Sequence, residues 1–219
     1  KCDKLTKPNI LEFTDSLKKD LGEIYRYFLR SGKKISVNKS MVEVIDPMWT
    51  DGVLTEEYKQ KSEIFSDERY EIKIDGADKK EAFTVKIYIL PKFDQVIMRK
   101  LKIGIGNQGF YILRNYRQIS RADDLGRIWN KDPHLNNIRA EIIFSGTLDL
   151  AMGVNYTKHS IKPVQAIVDK LQNDIMPQIQ TLATRNKKNT NRSEAKDLNF
   201  SEAERIISQK NKLLDKAEP

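Results

Sequence analysis

The chain is poor in the residues that usually carry chemistry. Among 219 residues there is one cysteine, Cys2, and there are two histidines. A single cysteine excludes an internal disulfide, and one cysteine with two histidines excludes an internal zinc site of ordinary type. No metal site is therefore expected, and a reducing, cytoplasmic compartment is the simplest expectation. No apolar run approaches the ~18 residues that a membrane-spanning helix needs. No secretory pattern follows Lys1, and a chain that begins without Met reads as a piece of a longer protein. A Ser-His-Asp order with a nucleophile elbow is missing, as is a helix-borne carboxylate pair with histidine ligands. An independent hydrolase has little support.

What the sequence does hold is charge and alternation. Charged residues make up 32% and apolar residues 39%, enough to bury a sizeable core, and the net charge is +8. That balance permits an anionic partner without demonstrating one. Ile10, Phe13, Leu17, Leu21, Ile24 and Phe28 step by three or four and predict a helix over residues 9–30, stopped by Gly32. Lys34–Val37 and Met41–Ile45 read as a hairpin around Asn38-Lys39-Ser40, ended by Asp46-Pro47. Residues 48–68 are irregular and read as a short strand or loop.

Tyr70–Ile74 and Ala82–Leu90 alternate apolar and polar residues around a turn beginning at Asp75-Gly76. Val85, Ile87 and Ile89 would face one side, with Lys86 and Tyr88 on the other. Lys92–Lys102 fits a short helix with Val96, Ile97 and Leu101 inward, or else a strand. The run Gly104-Ile105-Gly106-Asn107-Gln108-Gly109 spells GxGxxG, but a β-rich stretch follows it where a dinucleotide fingerprint needs a helix. Phe110–Leu113 and Arg117–Ser120 predict strands around Arg114-Asn115-Tyr116. Asp123–Asn137 reads as a polar loop pinned by a buried Trp129. Ile138–Phe144 reads as the best interior strand, and Leu148–Met152 as one helical turn.

Ser160 would cap a helix whose stripe is Ile161, Val164, Ile167, Val168, Leu171, Ile175, Ile179 and Leu182. Pro163 fits its first turn, and Pro177 should kink or interrupt it. Residues 185–196 carry five basic residues against one acidic, a net +4. Residues 185–199 read as a basic linker. Phe200–Lys216 predicts a last helix, within a 200–219 appendage, too sparse in apolar residues to fold alone.

Several runs resemble GHKL ATPases, the group that includes gyrase B, heat-shock chaperone, MutL and microrchidia (MORC) types, and the likeness covers about residues 5–184. Asn107–Ile119 resembles that family's G-[FY]-Y-[IV]-Y-R-N-x-R-L-I hairpin, closest to the MORC-like and bacterial chaperone-like versions. Asp132-Pro133-His134 with Asn137–Ile142 is similar to its H-x-N-x-x-R-[AIV]-x-I strand, and Gly153–Lys158 to its lysine-bearing loop. Leu21–Gly32, Lys34–Asn38 and Asp46-Pro47 follow the family's order as well. The family's D-x-G-x-G loop and helix-borne, magnesium-binding Asn are absent at any plausible position.

The resemblance therefore implies the second, transducer domain, without the N-terminal ATP-binding domain. The implied fold is α/β (α+β): a mixed sheet packed by helices, with a left-handed βαβ crossover, over residues 1–184, and the C-terminal helix as an appendage. It implies that Lys158 contacts the ATP γ-phosphate of the adjacent domain, with Asn155, Thr157 and His159 supporting the loop and Lys162 as a fallback. Gln108, Arg114 and Arg117 mark the hairpin, the two arginines as structural or interface residues. The fragment alone would not be catalytic and would hold no cofactor; ATP and magnesium would belong to the full-length parent. Implied partners are the N-terminal ATPase domain of the same chain, a second copy in a homodimer, and DNA or a client protein as the output. A basic nucleic-acid- or protein-binding module without ATP coupling is the alternative that the charge alone supports.

Overall fold

The computed structural model describes residues 7–50, 60–73, 80–154 and 161–192. The turn at Asp75-Gly76, Ser160 and residues 193–219 of the expected linker and last helix lie outside the described residues.

Five strands form one mixed sheet: β3 (Glu63–Lys73), β4 (Lys80–Ile89), β5 (Phe110–Arg114), β6 (Arg117–Asp123) and β7 (Ile138–Phe144), in the order β3-β4-β7-β5-β6. A separate small hairpin joins β1 (Ser36–Val37) to β2 (Ser40–Met41). Strand β7 lies at the centre of the large sheet. It runs antiparallel to β4 and parallel to β5. The expected α+β class with a mixed sheet is what forms. The connection between the parallel pair passes through β6 and the 3₁₀ turn Pro133–Leu135, so the stretch after β6 is loop, as the composition of Asp123–Asn137 predicts, and this crossover carries no α-helix. The polar composition of Asp123–Asn137 gives no apolar stripe on which a helix could pack.

Both tight hairpins follow local chemistry. Asn38 and Lys39 have φ of 51° and 64°, and Asn115 and Tyr116 have 48° and 63°. Two consecutive left-handed residues make the turn whose twist matches the flanking strands, and Asn tolerates that region best after Gly. Strand β3 begins at Glu63, well before the predicted start, because its first half is charged and hides the alternation.

One face of the sheet carries the main core. Phe83, Val85, Ile87, Phe110, Ile112, Ile138, Ala140, Ile142 and Phe144 pack beneath Ile167, Leu171, Ile175, Ile179 and Leu182 of the C-terminal helix. Trp129 is buried there and meets Phe110 edge-on, with ring centroids 5.3 Å apart, so it anchors its loop as expected. That helix starts as α4 (Gln165–Lys170), not at Ser160. Val164 is still extended because its N–H donates to Ala151 O at 2.7 Å, and its side chain is exposed rather than part of the stripe. A π turn at Leu171–Ile175 precedes Pro177, and the helix continues through 192. The wider turn accommodates a residue that has no N–H to donate, so Pro177 does not end the helix. Half of the expected basic linker is therefore helical.

Two other expectations change. Val96 points outward at 76% exposure in α3 (Gln95–Lys100), while Ile97 and Leu101 turn inward. Asp94 caps this helix through the Ile97 N–H, which settles helix over strand. The predicted first helix is two: α1 (Lys7–Ile24) and α2 (Arg26–Arg30). Its stripe is not buried at the start, where Ile10 and Phe13 are exposed. The chain docks instead where Gly22, Glu23 and Arg26 are buried. Gly22 is required there: a Cβ would lie 2.3 Å from Glu43 O, and Gly22 O accepts from the Ile45 N–H.

Candidate functional site

Strand β7 reads Ile-Arg-Ala-Glu-Ile-Ile-Phe, and its alternation sends Arg139 and Glu141 to the sheet face opposite the main core. Both are buried there. A polar seam explains how. Arg26 of α2, fully buried, donates from Nη2 to Glu141 Oε1 at 2.5 Å, and from Nη1 to Gln118 Oε1 and Glu23 O. Tyr27 and Tyr88 both donate their hydroxyls to Glu141 Oε2, at 2.7 and 2.9 Å. Gln118 Nε2 donates to Glu23 Oε1, and Arg121 pairs with Glu23 at 3.2 Å. Tyr88, on the side opposite Val85 and Ile87 as expected, is buried there as a donor.

Asp46, at the expected stop of the first hairpin, closes the seam. Its carboxylate accepts from Arg30 Nη2 at 2.6 Å and from the Met48 and Thr50 N–H groups. Burial works to raise its pKa, but the Arg30 charge and the Arg30 and Thr50 hydrogen bonds outweigh it and hold the carboxyl below its usual range. Burial, reinforced by Glu141, pushes the Tyr27 and Tyr88 phenols far above their ordinary range. Neither can act as an acid or base near neutrality. Arg139 is buried without a carboxylate among the described residues. It donates to Pro47 O and Tyr111 Oη, each at 3.1 Å, and burial lowers its pKa.

The residues singled out by the sequence divide into three places. Gln108 is buried at the start of β5; it donates to Asp132 O and Asn136 Oδ1 and accepts from the Asp132 N–H. It stitches the 132–136 turn to the sheet. Arg114 and Arg117 face one another across the β5–β6 turn, at the other end of β5. Arg114 grips Asp149 through two hydrogen bonds of 2.6 and 2.7 Å, and that carboxylate raises its pKa. Arg117 lies over the Tyr25 ring at 5.5 Å.

Asn155, Thr157, Lys158 and His159 lie outside the described residues, and their flanks are held together. Gly153, with φ of 64°, packs so closely on Lys162 that a Cβ would lie 2.2 Å from Lys162 O. The Val164 N–H bonds to Ala151 O, and Ala151 and Met152 are buried in the main core. Lys162 serves here through its backbone.

Sequence reasoning missed Arg26, Tyr27, Glu23, Gln118 and Glu141. One signal was available: two charged residues, Arg139 and Glu141, inside an otherwise apolar interior strand can be accommodated only if the second face is also covered by polar partners. Among the described residues no cluster of three or more metal-ligating side chains occurs, and no helix is long and apolar enough to cross a membrane. No protein-family model matches the chain, and no curated protein or solved structure matches it either.

Proposed function

We propose that this chain is the transducer domain of a GHKL-type ATPase, chaperone-like or MORC-like. It would couple ATP binding in a preceding N-terminal domain to closure of a cytoplasmic homodimer and to action on DNA or a client. The observation that carries the reading is the pinned base of the segment holding Lys158. Ala151–Gly153 lie against Lys162–Val164, and Met152 roots that junction in the core. Arg114 ties the same stretch to the β5–β6 turn through Asp149. A lysine that must reach a phosphate on a neighbouring domain needs such a base, since positioning error translates directly into lost stabilisation.

Chemically, an ammonium is a compact point charge suited to a terminal phosphate. A contact made only with the γ-phosphate favours the ATP state and vanishes after hydrolysis, which supplies the differential affinity a switch needs. ATP and magnesium would be held by the other domain, and this chain would contribute one cation and a mechanical connection. The test is steady-state ATP turnover by the full-length parent protein, comparing the natural sequence with Lys158→Ala and measuring nucleotide affinity alongside. Turnover should collapse while nucleotide still binds. Unchanged turnover would overturn the assignment of Lys158 and the coupling that rests on it.

A further inference from the structure

The C-terminal helix has an uneven charge distribution. From 175 to 192 it contains no Asp or Glu, and it carries Arg185, Lys187, Lys188 and Arg192. Helical spacing places Arg185, Lys188 and Arg192 on one stripe, with Gln180 and Asn189 alongside. All three cations are exposed, and no salt bridge to a carboxylate forms at any of them among the described residues.

A fourth cation comes from another part of the fold. Asn186 of the helix donates to His134 O at 2.7 Å and to Asn137 Oδ1 at 3.0 Å. Asn137 in turn donates to Leu90 O. This chain of amides fixes the helix beside Leu90, so that Arg185, next to Asn186, lies on the same side of the fold as Lys92, two residues beyond Leu90. Partial burial, and then the Arg185 charge, lower the pKa of Lys92. The amide framework thus brings like charges from two parts of the chain to one side of the fold, an arrangement that a phosphate oxygen would relieve.

The geometry points to Lys92, Arg185, Lys188 and Arg192 as a surface that binds the phosphate backbone of duplex nucleic acid. Arg and Lys with interspersed amides are the groups that contact phosphates without reading sequence. The stripe has no exposed aromatic on which unpaired bases could stack, which favours duplex over single strand. It also has no exposed apolar residue to insert into a lipid surface, which disfavours a membrane. The inference does not depend on ATP coupling or on Lys158.

The experiment uses the 219-residue chain, a short labelled duplex DNA of mixed sequence, and fluorescence anisotropy across a salt series. Four phosphate contacts predict a log–log salt slope of about −3.6, or a loss of about 150-fold in affinity between about 50 and 200 mM salt. The triple variant Arg185→Ala, Lys188→Ala, Arg192→Ala should retain a slope of about −0.9, a loss of about 3- to 4-fold over the same range. All three positions are exposed, and an unchanged thermal melt verifies folding. Removing two exposed lysines elsewhere, by Lys33→Ala with Lys34→Ala, should leave the slope as it was. Absence of binding at low salt, an unchanged slope in the triple variant, or an equal loss in the Lys33/Lys34 variant would each overturn the proposal. So would binding to phosphatidylserine vesicles in place of duplex.

Discussion

The two faces of the central sheet are covered in opposite ways. On one, the C-terminal helix presses Ile167, Leu171, Ile175, Ile179 and Leu182 onto an apolar surface. On the other, the end of α1 and α2 are seated by Glu23, Arg26, Tyr27 and Arg30, which meet Gln118, Glu141 and Asp46, while Tyr88 also donates to Glu141. Apolar burial is worth about 1.5–3 kcal/mol for each large side chain and tolerates small shifts, because it has no direction. A buried ion pair gains little net stability, since desolvation offsets most of the attraction. It does specify position: Arg26 can satisfy Glu141, Gln118 and the Glu23 carbonyl together in only one pose. The C-terminal helix is thus held mainly by area, and the N-terminal helices mainly by geometry.

The sharpest way to break this comparison is to remove one member of the central pair. Glu141→Ala leaves the Arg26 guanidinium buried beside two unpaired phenols and should destabilise by about 3–5 kcal/mol. Replacing both partners, Arg26→Met with Glu141→Leu, should recover much of that loss, because neither charge is then stranded. Urea unfolding of Arg26→Met, Glu141→Leu and the double variant reads the coupling. Losses that add without recovery would show that the seam works through packing and not through the pair.

The apolar face should respond differently. Leu171→Ala should cost about 2–5 kcal/mol, the sum of lost transfer energy and the cavity left behind. No second substitution on the facing strand rescues it, since the void remains. Its cost should also be the same in the acid limb as at neutral pH, as no ionisable group touches the transfer term. A measured cost that fell away in acid would mean that the two faces unfold as one electrostatically linked unit.

This contrast explains which parts of the fold were legible in the sequence. The alternation of β4 and β7 and the stripe from Ile167 to Leu182 identify the apolar face, because periodicity reports burial against a single apolar surface. The polar seam was not legible because its partners are far apart in the chain. Arg26 and Glu141 are separated by 115 residues; the apolar neighbours of Glu141 in β7 signal its burial, but nothing local marks Arg26 as its partner. The opening stripe Ile10 and Phe13 misleads for the same reason: the helix docks through Gly22 and Arg26 instead. Gln108 was singled out for its place in the hairpin motif, while its actual partners, Asp132 and Asn136, lie in a loop with no periodicity. For Lys158 the sequence supplies the residue, and the described fold supplies the fixed flanks on either side.

The smallest effect tests whether the seam carries a pH signature that the apolar face lacks. Asp46 pairs with Arg30 at 2.6 Å, with Arg26 Nε at 3.9 Å, and its folded pKa lies below the value of an ordinary carboxyl. A depressed carboxyl contributes stability that is fully present above the unfolded pKa of about 3.9 and is lost as pH falls through the lower folded value. The urea midpoint should therefore drop through that acid window and hold steady above it. Asp46→Asn keeps the shape and an acceptor oxygen but removes the charge, so this variant should be less stable at neutral pH and show a shallower acid limb. The shape of the limb is the deciding readout, because a general loss of packing would lower the midpoint equally at every pH. An acid limb of unchanged slope in Asp46→Asn would place the pH sensitivity elsewhere and leave Asp46 as a hydrogen-bond acceptor for Thr50 and Met48 alone.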